Sequence, residues 1–210
     1  MEKILLVGAG GHCKVIISII LKNGNLEIYG ISDEKESLHG KNILDYKISF
    51  SEKNWCEIRK QCKKALVAFG NIDIPYQRKK IFEKLKKNHF KLPIIISKDS
   101  IIADDVKIGE GTVIMPGVVI NPGTVIGKNC ILNTGCIIDH DCNIGDHTHI
   151  APGVTCSGGV LIGELCHIGT GVTIIQSINI GNETLVAAGA VVIKNIPKKS
   201  RVKGVPARHF

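Results

Sequence analysis

The chain has 210 residues, room for two modest domains, and its 27 Lys and Arg against 19 Asp and Glu give a formal charge of +8. No apolar run reaches the roughly 18 residues of a membrane helix, and no cleavable leader opens the chain, so a cytoplasmic protein without membrane insertion is expected. The basic excess lies within residues 1–100, yet it is scattered, aromatics are only 4 % and no nucleic-acid motif appears, which argues against nucleic acid and for a solvated surface that contributes to attracting a small anion.

Residues 3–7 (Lys3-Ile4-Leu5-Leu6-Val7) read as a buried strand. The turn Gly8-Ala9-Gly10-Gly11-His12-Cys13-Lys14 and an apolar helix through Leu21 follow. Further strands are expected at 27–31, 65–69 and 93–96, with helices near 52–63 and 75–88. This alternation implies a small Rossmann-like parallel α/β domain over residues 1–97. Its glycine turn would sit at a strand's carboxyl end and a helix's mouth, where N–H groups and the helix dipole favour a phosphate. The dinucleotide fingerprint GxGxxG fails at its sixth place, which is Cys13, and the unit is short for two nucleotide halves. A single nucleotide diphosphate fits better than NAD. Asp33, closing the strand Ile28-Tyr29-Gly30-Ile31-Ser32, could accept from a ribose or base, and Gly70-Asn71 would edge the same crevice. The bland alternative is that these glycines only make tight turns.

From residue 98 to the end a different rule takes over. Every sixth residue from Ile102 to Val192 is aliphatic, the one exception being Cys156. Neither a helix nor a hairpin sheet has that period; a parallel β-helix does, with three sides to an eighteen-residue coil and about five coils between residues 102 and 192. Two places before the ladder residue stand small or β-branched side chains, among them Thr112, Val118, Thr124, Cys130, Cys136, Cys142 and Val154. Cys130, Cys136, Cys142, Cys156 and Cys166 therefore point inward as small hydrophobes. The residue just after the ladder position is often Gly, Asn or Asp (Gly109, Asn121, Gly127, Asp139, Gly145), which reads as the corner needing left-handed backbone.

One stretch departs from this bland pattern: Asn133-Thr134-Gly135-Cys136-Ile137-Ile138-Asp139-His140-Asp141-Cys142, with His147 and His149 close behind. His140 occupies the slot two after ladder residue Ile138, an outward turn position where other repeats have Pro116, Pro122 or Lys128. An exposed imidazole with an ordinary pKa near 6.5 suits proton abstraction. Asp141 could bond its other nitrogen and raise its basicity. Chelation by His147 and His149 on one short strand is the competing reading. It is disfavoured, since no Cys or carboxylate stands at ligand spacing, and no metal is expected.

Taken together, Gly8-Ala9-Gly10-Gly11-His12, Ala68-Phe69-Gly70-Asn71, the hexapeptide array, Asn133 through Asp141, Gly158-Gly159 and the closing Val202-Lys203-Gly204-Val205-Pro206-Ala207 resemble the left-handed β-helix acyltransferases. Within these the chain resembles the bacterial sugar acetyltransferases that include sialic acid O-acetyltransferases and nucleotide-diphospho-4-amino-sugar N-acetyltransferases. The resemblance implies acetyl-CoA as co-substrate, a nucleotide-linked amino sugar as acceptor for surface glycan synthesis, and a homotrimer with acetyl-CoA between neighbouring prisms. It implies His140 as general base with Asp141 as its partner. Asn133 and His149 would bind acetyl-CoA at the reaction centre, Gly158, Thr170 and Ala188 would line its pantetheine arm, and Gly10, Gly11, His12, Ser32, Asp33, Gly70 and Asn71 would surround the nucleotide sugar. O-acetylation of sialic acid or a related sugar is the second reading, and a non-catalytic binding scaffold the third.

Overall fold

The computed structural model describes all 210 residues. The N-terminal domain runs β1 (Glu2–Val7), α1 (Gly11–Asn23), β2 (Leu26–Ser32), β3 (Asn42–Ile43), β4 (Tyr46–Phe50), α2 (Trp55–Gln61), β5 (Lys64–Val67) and α3 (Tyr76–Lys87). Its sheet has the order β3-β4-β2-β1-β5, parallel except for the short β3–β4 hairpin at one edge. The alternation along β1 divides the core. Ile4 and Leu6 face α1 and the coil beyond it, while Leu5 and Val7 face Trp55, Ile58, Ile81 and Leu85 of α2 and α3. α1 closes at Gly24, whose φ of 65° lets its N–H reach Ile20 O at 3.0 Å.

Two sequence expectations are corrected here. The pair β3–β4 is absent from the expected elements: β3 has only two residues, although β4 (Tyr46-Lys47-Ile48-Ser49-Phe50) alternates apolar and polar side chains as a strand does. The strand expected at 93–96 is not part of the N-terminal sheet, because Ile95–Ile96 pairs in parallel with Val113–Ile114 of the coil. An apolar dipeptide carries no label for the sheet it will join.

The repeat region forms a three-sided parallel coil in which each strand pairs with the one eighteen residues away, as in Val119 with Ile137 and Ile137 with Thr155. The ladder residues from Ile114 to Val192 are all buried. The corners differ from expectation. Left-handed backbone recurs every sixth residue from Gly111 (φ 71°) to Gly189 (φ 69°), three places after the ladder residue rather than one. The glycines just after the ladder residue answer a different demand. A Cβ on Gly109 would lie 2.6 Å from the backbone of Gly127 and Lys128, and one on Gly145 2.5 Å from that of Gly163 and Glu164, so stacked coils exclude a side chain there.

The three faces are not equivalent. The face carrying Val113, Ile131, His149, His167 and Leu185 is buried on its outside too, because the N-terminal domain lies along it. Arg201 with Asp73 (2.8 Å), the Tyr76 hydroxyl with Glu183, and Lys22 with Asp99 (2.6 Å) tie the two together from end to end. The next face carries Ile101, Val119, Ile137, Thr155, Thr173 and Val191 outward and is uncovered, with Ile101 70 % exposed. The third mixes Lys107, Val125, Asn143, Leu161 and Asn179. All eight cysteines are free, and the five assigned inward are buried. No helix is long and apolar enough to cross a membrane.

Candidate active site

The site residues fall on three pieces of framework. At the carboxyl end of the N-terminal sheet, Gly8 (φ 112°) turns the chain over the Phe69 ring, which a Cβ would strike at 2.7 Å. Gly10 begins α1 with no side-chain cap, so the first-turn N–H groups of Gly11 and His12 face the crevice. Asp33 joins the two loops there, accepting from Ala9 N–H and from Lys35 N–H, both at 2.9 Å. Ser32 lies deeper. It is buried, and its hydroxyl accepts the Trp55 indole N–H at 3.0 Å, which makes it a support beneath Asp33. Val7, Gly8, Asp33, Glu34, Trp55 and Phe69 line a cavity of about 210 Å³ on this side.

The second piece is the seam where that crevice meets the covered face of the coil. His12, Gly70, Asn71, Asn133 and His149 line a cleft of about 470 Å³. Its hydrogen bonds specify one tautomer. His149 Nδ1–H donates to Asn71 O (3.2 Å), and its Nε2 accepts from the Asn133 amide (3.2 Å), whose own oxygen accepts Thr134 N–H (2.8 Å). The Asn71 amide donates to His167 Nδ1 (3.2 Å), and the two imidazoles meet edge to face at 5.0 Å. These rings are held neutral. Burial, then the neighbouring charges of His167 and Arg78, push His149 down to about 3. Burial, then Arg78 and His149, do the same to His12, also to about 3.

His147 belongs to neither cleft. It sits at a left-handed corner (φ 62°), not on the strand with His149 as the chelation reading assumed. Its Nδ1 accepts from the Asn129 amide (2.9 Å), and its ring packs on Phe82, so burial lowers its pKa to about 4.

The third piece is the edge between the uncovered apolar face and the third face. There His140 is exposed, and its Nδ1–H donates to the Asp141 carboxylate at 2.8 Å, leaving Nε2 as the basic nitrogen. Asp141 takes the left-handed corner position (φ 57°), and Asp139 holds His140 N–H (2.8 Å) while itself gripped by the Asn121 amide (2.8 Å). The Asp141 hydrogen bond, followed by the charge of Asp139, raises the imidazole above its ordinary value. Gly158 is the floor of this arrangement. A Cβ there would lie 2.5 Å from both Cε1 and Nε2 of His140, so only glycine lets the ring lie flat across the next coil.

Within one chain these pieces do not converge. Gly10, Gly11, His12, Gly70, Asn71, Asn133 and His149 come together. Thr170 and Ala188 stand eighteen residues apart, exposed, on the edge that Asn133 begins, whereas His140, Asp141 and Gly158 occupy the other edge of the apolar face. Two residues of the seam escaped the sequence reading. Arg78 is buried, its guanidinium donating to Val67 O (2.9 Å), Phe69 O (2.8 Å) and Asn129 O (3.2 Å), so it anchors the loop leading to Gly70-Asn71. Its signal was the apolar stripe Ile81, Phe82 and Leu85, which lie three, four and seven places on. His167 was legible as the residue eighteen after His149.

Comparison with known proteins bears on this geometry. Residues 3–85 match the PglD N-terminal domain and residues 123–158 the bacterial transferase hexapeptide (six repeats). PerB from Caulobacter crescentus, solved with CoA and GDP-perosamine, is 31 % identical at a TM-score of 0.93, covering 100 % of this chain and 98 % of that one. The chain belongs to the hexapeptide-repeat sugar acetyltransferases. The acetyltransferase domain of PglB from Neisseria gonorrhoeae, solved with acetyl coenzyme A, is 30 % identical (TM-score 0.90, covering 100 % and 99 %). WeeI from Acinetobacter baumannii is 28 % identical (TM-score 0.87, covering 100 % of both chains). No curated protein matches the sequence. Family membership makes the chain an acyltransferase with a left-handed β-helix, as the resemblance implied.

Proposed function

We propose that the protein is a cytoplasmic homotrimer that transfers the acetyl group of acetyl-CoA to the amine of a nucleotide-linked 4-amino sugar. The observation that carries this reading is the His140–Asp141 pair, an exposed imidazole with one nitrogen bound to a carboxylate at 2.8 Å and the other free over Gly158. The relatives support the substrates, since PerB is solved with CoA and GDP-perosamine and the PglB domain with acetyl coenzyme A.

The split site supports the trimer. The apolar face bears Ile101, Val119, Ile137 and Val191 and is bounded by one edge with His140 and another with Asn133, Thr170 and Ala188. Three prisms turning these faces toward a common axis bring unlike edges together at each seam, a closed heterologous ring. The nucleotide diphosphate then lies on the Gly8–Gly11 turn, with Asp33 beside it and its sugar directed through the cleft of His12, Asn71, Asn133 and His149. His140 from the neighbouring copy meets the sugar there.

His140 Nε2 takes the proton from the amine as nitrogen attacks the thioester carbon, and the thiolate of CoA leaves. Both substrates are held side by side, so positioning supplies much of the acceleration and no acyl-enzyme is required. The buried Cys136 and Cys142, the latter's thiol raised by burial, are unsuited to be nucleophiles. The test is acetyl-CoA turnover against UDP-, dTDP- and GDP-linked 4-amino sugars, with free and CMP-linked sialic acid as the hydroxyl acceptors. Turnover confined to the sialic acids would replace this reading with O-acetylation. Turnover with none would favour a binding scaffold.

A further inference from the structure

A cation without a counter-ion is buried beneath the cleft of His12, Asn71, Asn133 and His149. Arg78, in the first turn of α3, is 1 % exposed, and no carboxylate lies within ion-pair distance of its guanidinium. Burial lowers its pKa, yet only to about 9, so the charge persists at neutral pH. Taking a cation out of water unpaired is costly, and the first turn of a helix is the wrong end for one. Ile81, Phe82 and Leu85 on the same helix show that an apolar side chain would suit the packing. The charge answers some need other than filling space.

What the guanidinium touches names that need. Its Nη1–H groups donate to Val67 O (2.9 Å) and Phe69 O (2.8 Å) of the N-terminal domain, and its Nε–H donates to Asn129 O (3.2 Å) of the coil. Phe69 stands two residues before Asn71, and Asn129 four before Asn133. Those two asparagines grip the His149 ring by its two nitrogens. Asn71 O accepts from Nδ1–H and the Asn133 amide donates to Nε2, each at 3.2 Å. One grip comes from each domain, so the ring is placed only as well as the domains are registered. Arg78 binds the root of both grips. The roots themselves are stiff, since Asn129 is fully buried and the Phe69 ring lies close over Gly8.

We propose that Arg78 is a positioning residue for acetyl transfer: one guanidinium fastens carbonyls of both domains and thereby sets Asn71, Asn133 and His149 in register. A rigid planar fork can serve carbonyls on two sides at once, whereas an ammonium is a point charge on a flexible stem. The assignment rests on the reading that the cleft of His149 receives the reacting sugar, and adds to it a residue that touches neither substrate.

Arg78→Met and Arg78→Lys test it in the whole protein through three readouts. These are kcat with the amino-sugar acceptor, Kd for the matching nucleoside diphosphate, and the imidazole nitrogen NMR resonances, with His149 assigned from His149→Gln. In the wild type His149 should show one fixed tautomer, protonated at Nδ1. In Arg78→Met its signals should move toward the average of two tautomers, and kcat should fall about tenfold or more, since about 1 Å of misplacement can cost up to about 100-fold. The Kd for the nucleoside diphosphate, which lies on the glycine turn, should stay the same. Arg78→Lys keeps the cation but not the fork, so an intermediate loss is expected, and this variant carries the test if the Met variant does not fold. An unchanged tautomer or an unchanged kcat in the folded variants would overturn the proposal. Full recovery in Arg78→Lys would overturn it too, by assigning the effect to charge alone. So would a kcat loss matched by an equal loss of nucleoside diphosphate binding, the mark of a merely structural residue. The imidazole spectrum needs no substrate. A wild type that acetylates no amino sugar would therefore sink the reading beneath, while the tautomer of His149 in the variants would still decide the tie between the domains.

Discussion

His140 and the histidines beneath the N-terminal domain put the same ring to opposite uses. His140 stands in solvent between two carboxylates, and its proton affinity is raised by the Asp141 hydrogen bond and the Asp139 charge. His12, His147 and His149 are enclosed near the Arg78 guanidinium, and burial drives them to about 3, 4 and 3. One setting makes a base that can take a proton and return it to water. The other makes neutral rings, of which His149 holds Asn71 and Asn133 and His147 holds Asn129. The comparison teaches that the histidine-rich stretch is not one cluster: burial divides it into an exposed ring open to proton exchange and enclosed rings held neutral.

The sharpest way to break that division is at its exposed member. His140→Ala removes the proposed general base and should lower kcat by about 10²–10⁴, with the KM for acetyl-CoA nearly unchanged. Equal kcat in the variant would return His140 to an ordinary surface residue. Gly158→Ala asks the same question without touching the imidazole. The added methyl would sit 2.5 Å from Nε2, and the ring, being the free end of a side chain, would swing away. A displacement of about 1 Å can cost up to about 100-fold in rate. The expected signature is a kcat loss of tenfold or more with an unaltered melting temperature, and a fall in melting temperature without a kcat loss would make Gly158 a packing residue only.

Asp141→Asn should do less, because the pair is open to water and solvent screens it; a rate loss of no more than about fivefold is expected. The direction of its pH effect is more telling. The base acts when neutral, so activity falls as pH drops through its pKa. Since Asp141 raises that pKa, the variant's acid limb should move to lower pH while its plateau falls. An acid limb that stays fixed would mean that another group limits the rate.

The coil could be read from the sequence because its rule is local and repeated: one inward aliphatic every six residues. What the ladder did not reveal was why each glycine is there. The glycines after the ladder residue, such as Gly109 and Gly145, are more conspicuous than the left-handed positions two further on, and only the stacked coils show that a neighbouring backbone forbids their Cβ. In the N-terminal domain the β1–glycine turn–α1 unit was legible, whereas two-residue β3 was not, and β4 had only the alternation of Tyr46, Ile48 and Phe50 with Lys47 and Ser49 to mark it. The candidate site was legible as a set of residues but not as a place. Asn133 and His140 are seven apart in sequence, and the same six-residue period that revealed the prism puts them on different edges. Arg78 was missed because arginine is rarely buried, and its burial depends on carbonyls of β5 and of Asn129 that no local pattern reports.

The smallest effect tests the buried half of the comparison through stability. A histidine whose pKa is depressed on folding binds its proton only in the unfolded chain over the interval between the two values. Stability is therefore fully present above about 6.5 and declines as pH falls from there toward 4. Each ring contributes at most about 1.4 kcal/mol per pH unit to that slope. Carboxylates protonate in the lower part of the same interval and blur the wild-type curve, so the informative quantity is a difference. His149→Gln can keep both contacts, its amide oxygen accepting from Asn133 and its amide nitrogen donating to Asn71 O, but it has no proton to gain. Urea unfolding at pH 7, 6 and 5 should give a variant whose stability declines less steeply, by about 1 kcal/mol per pH unit, with the carboxylate contribution cancelling between the two proteins. Parallel curves would mean that His149 is protonated in the folded state. Its Nε2 would then have a hydrogen where the Asn133 amide now donates, and the seam would have to be held by a different set of hydrogen bonds.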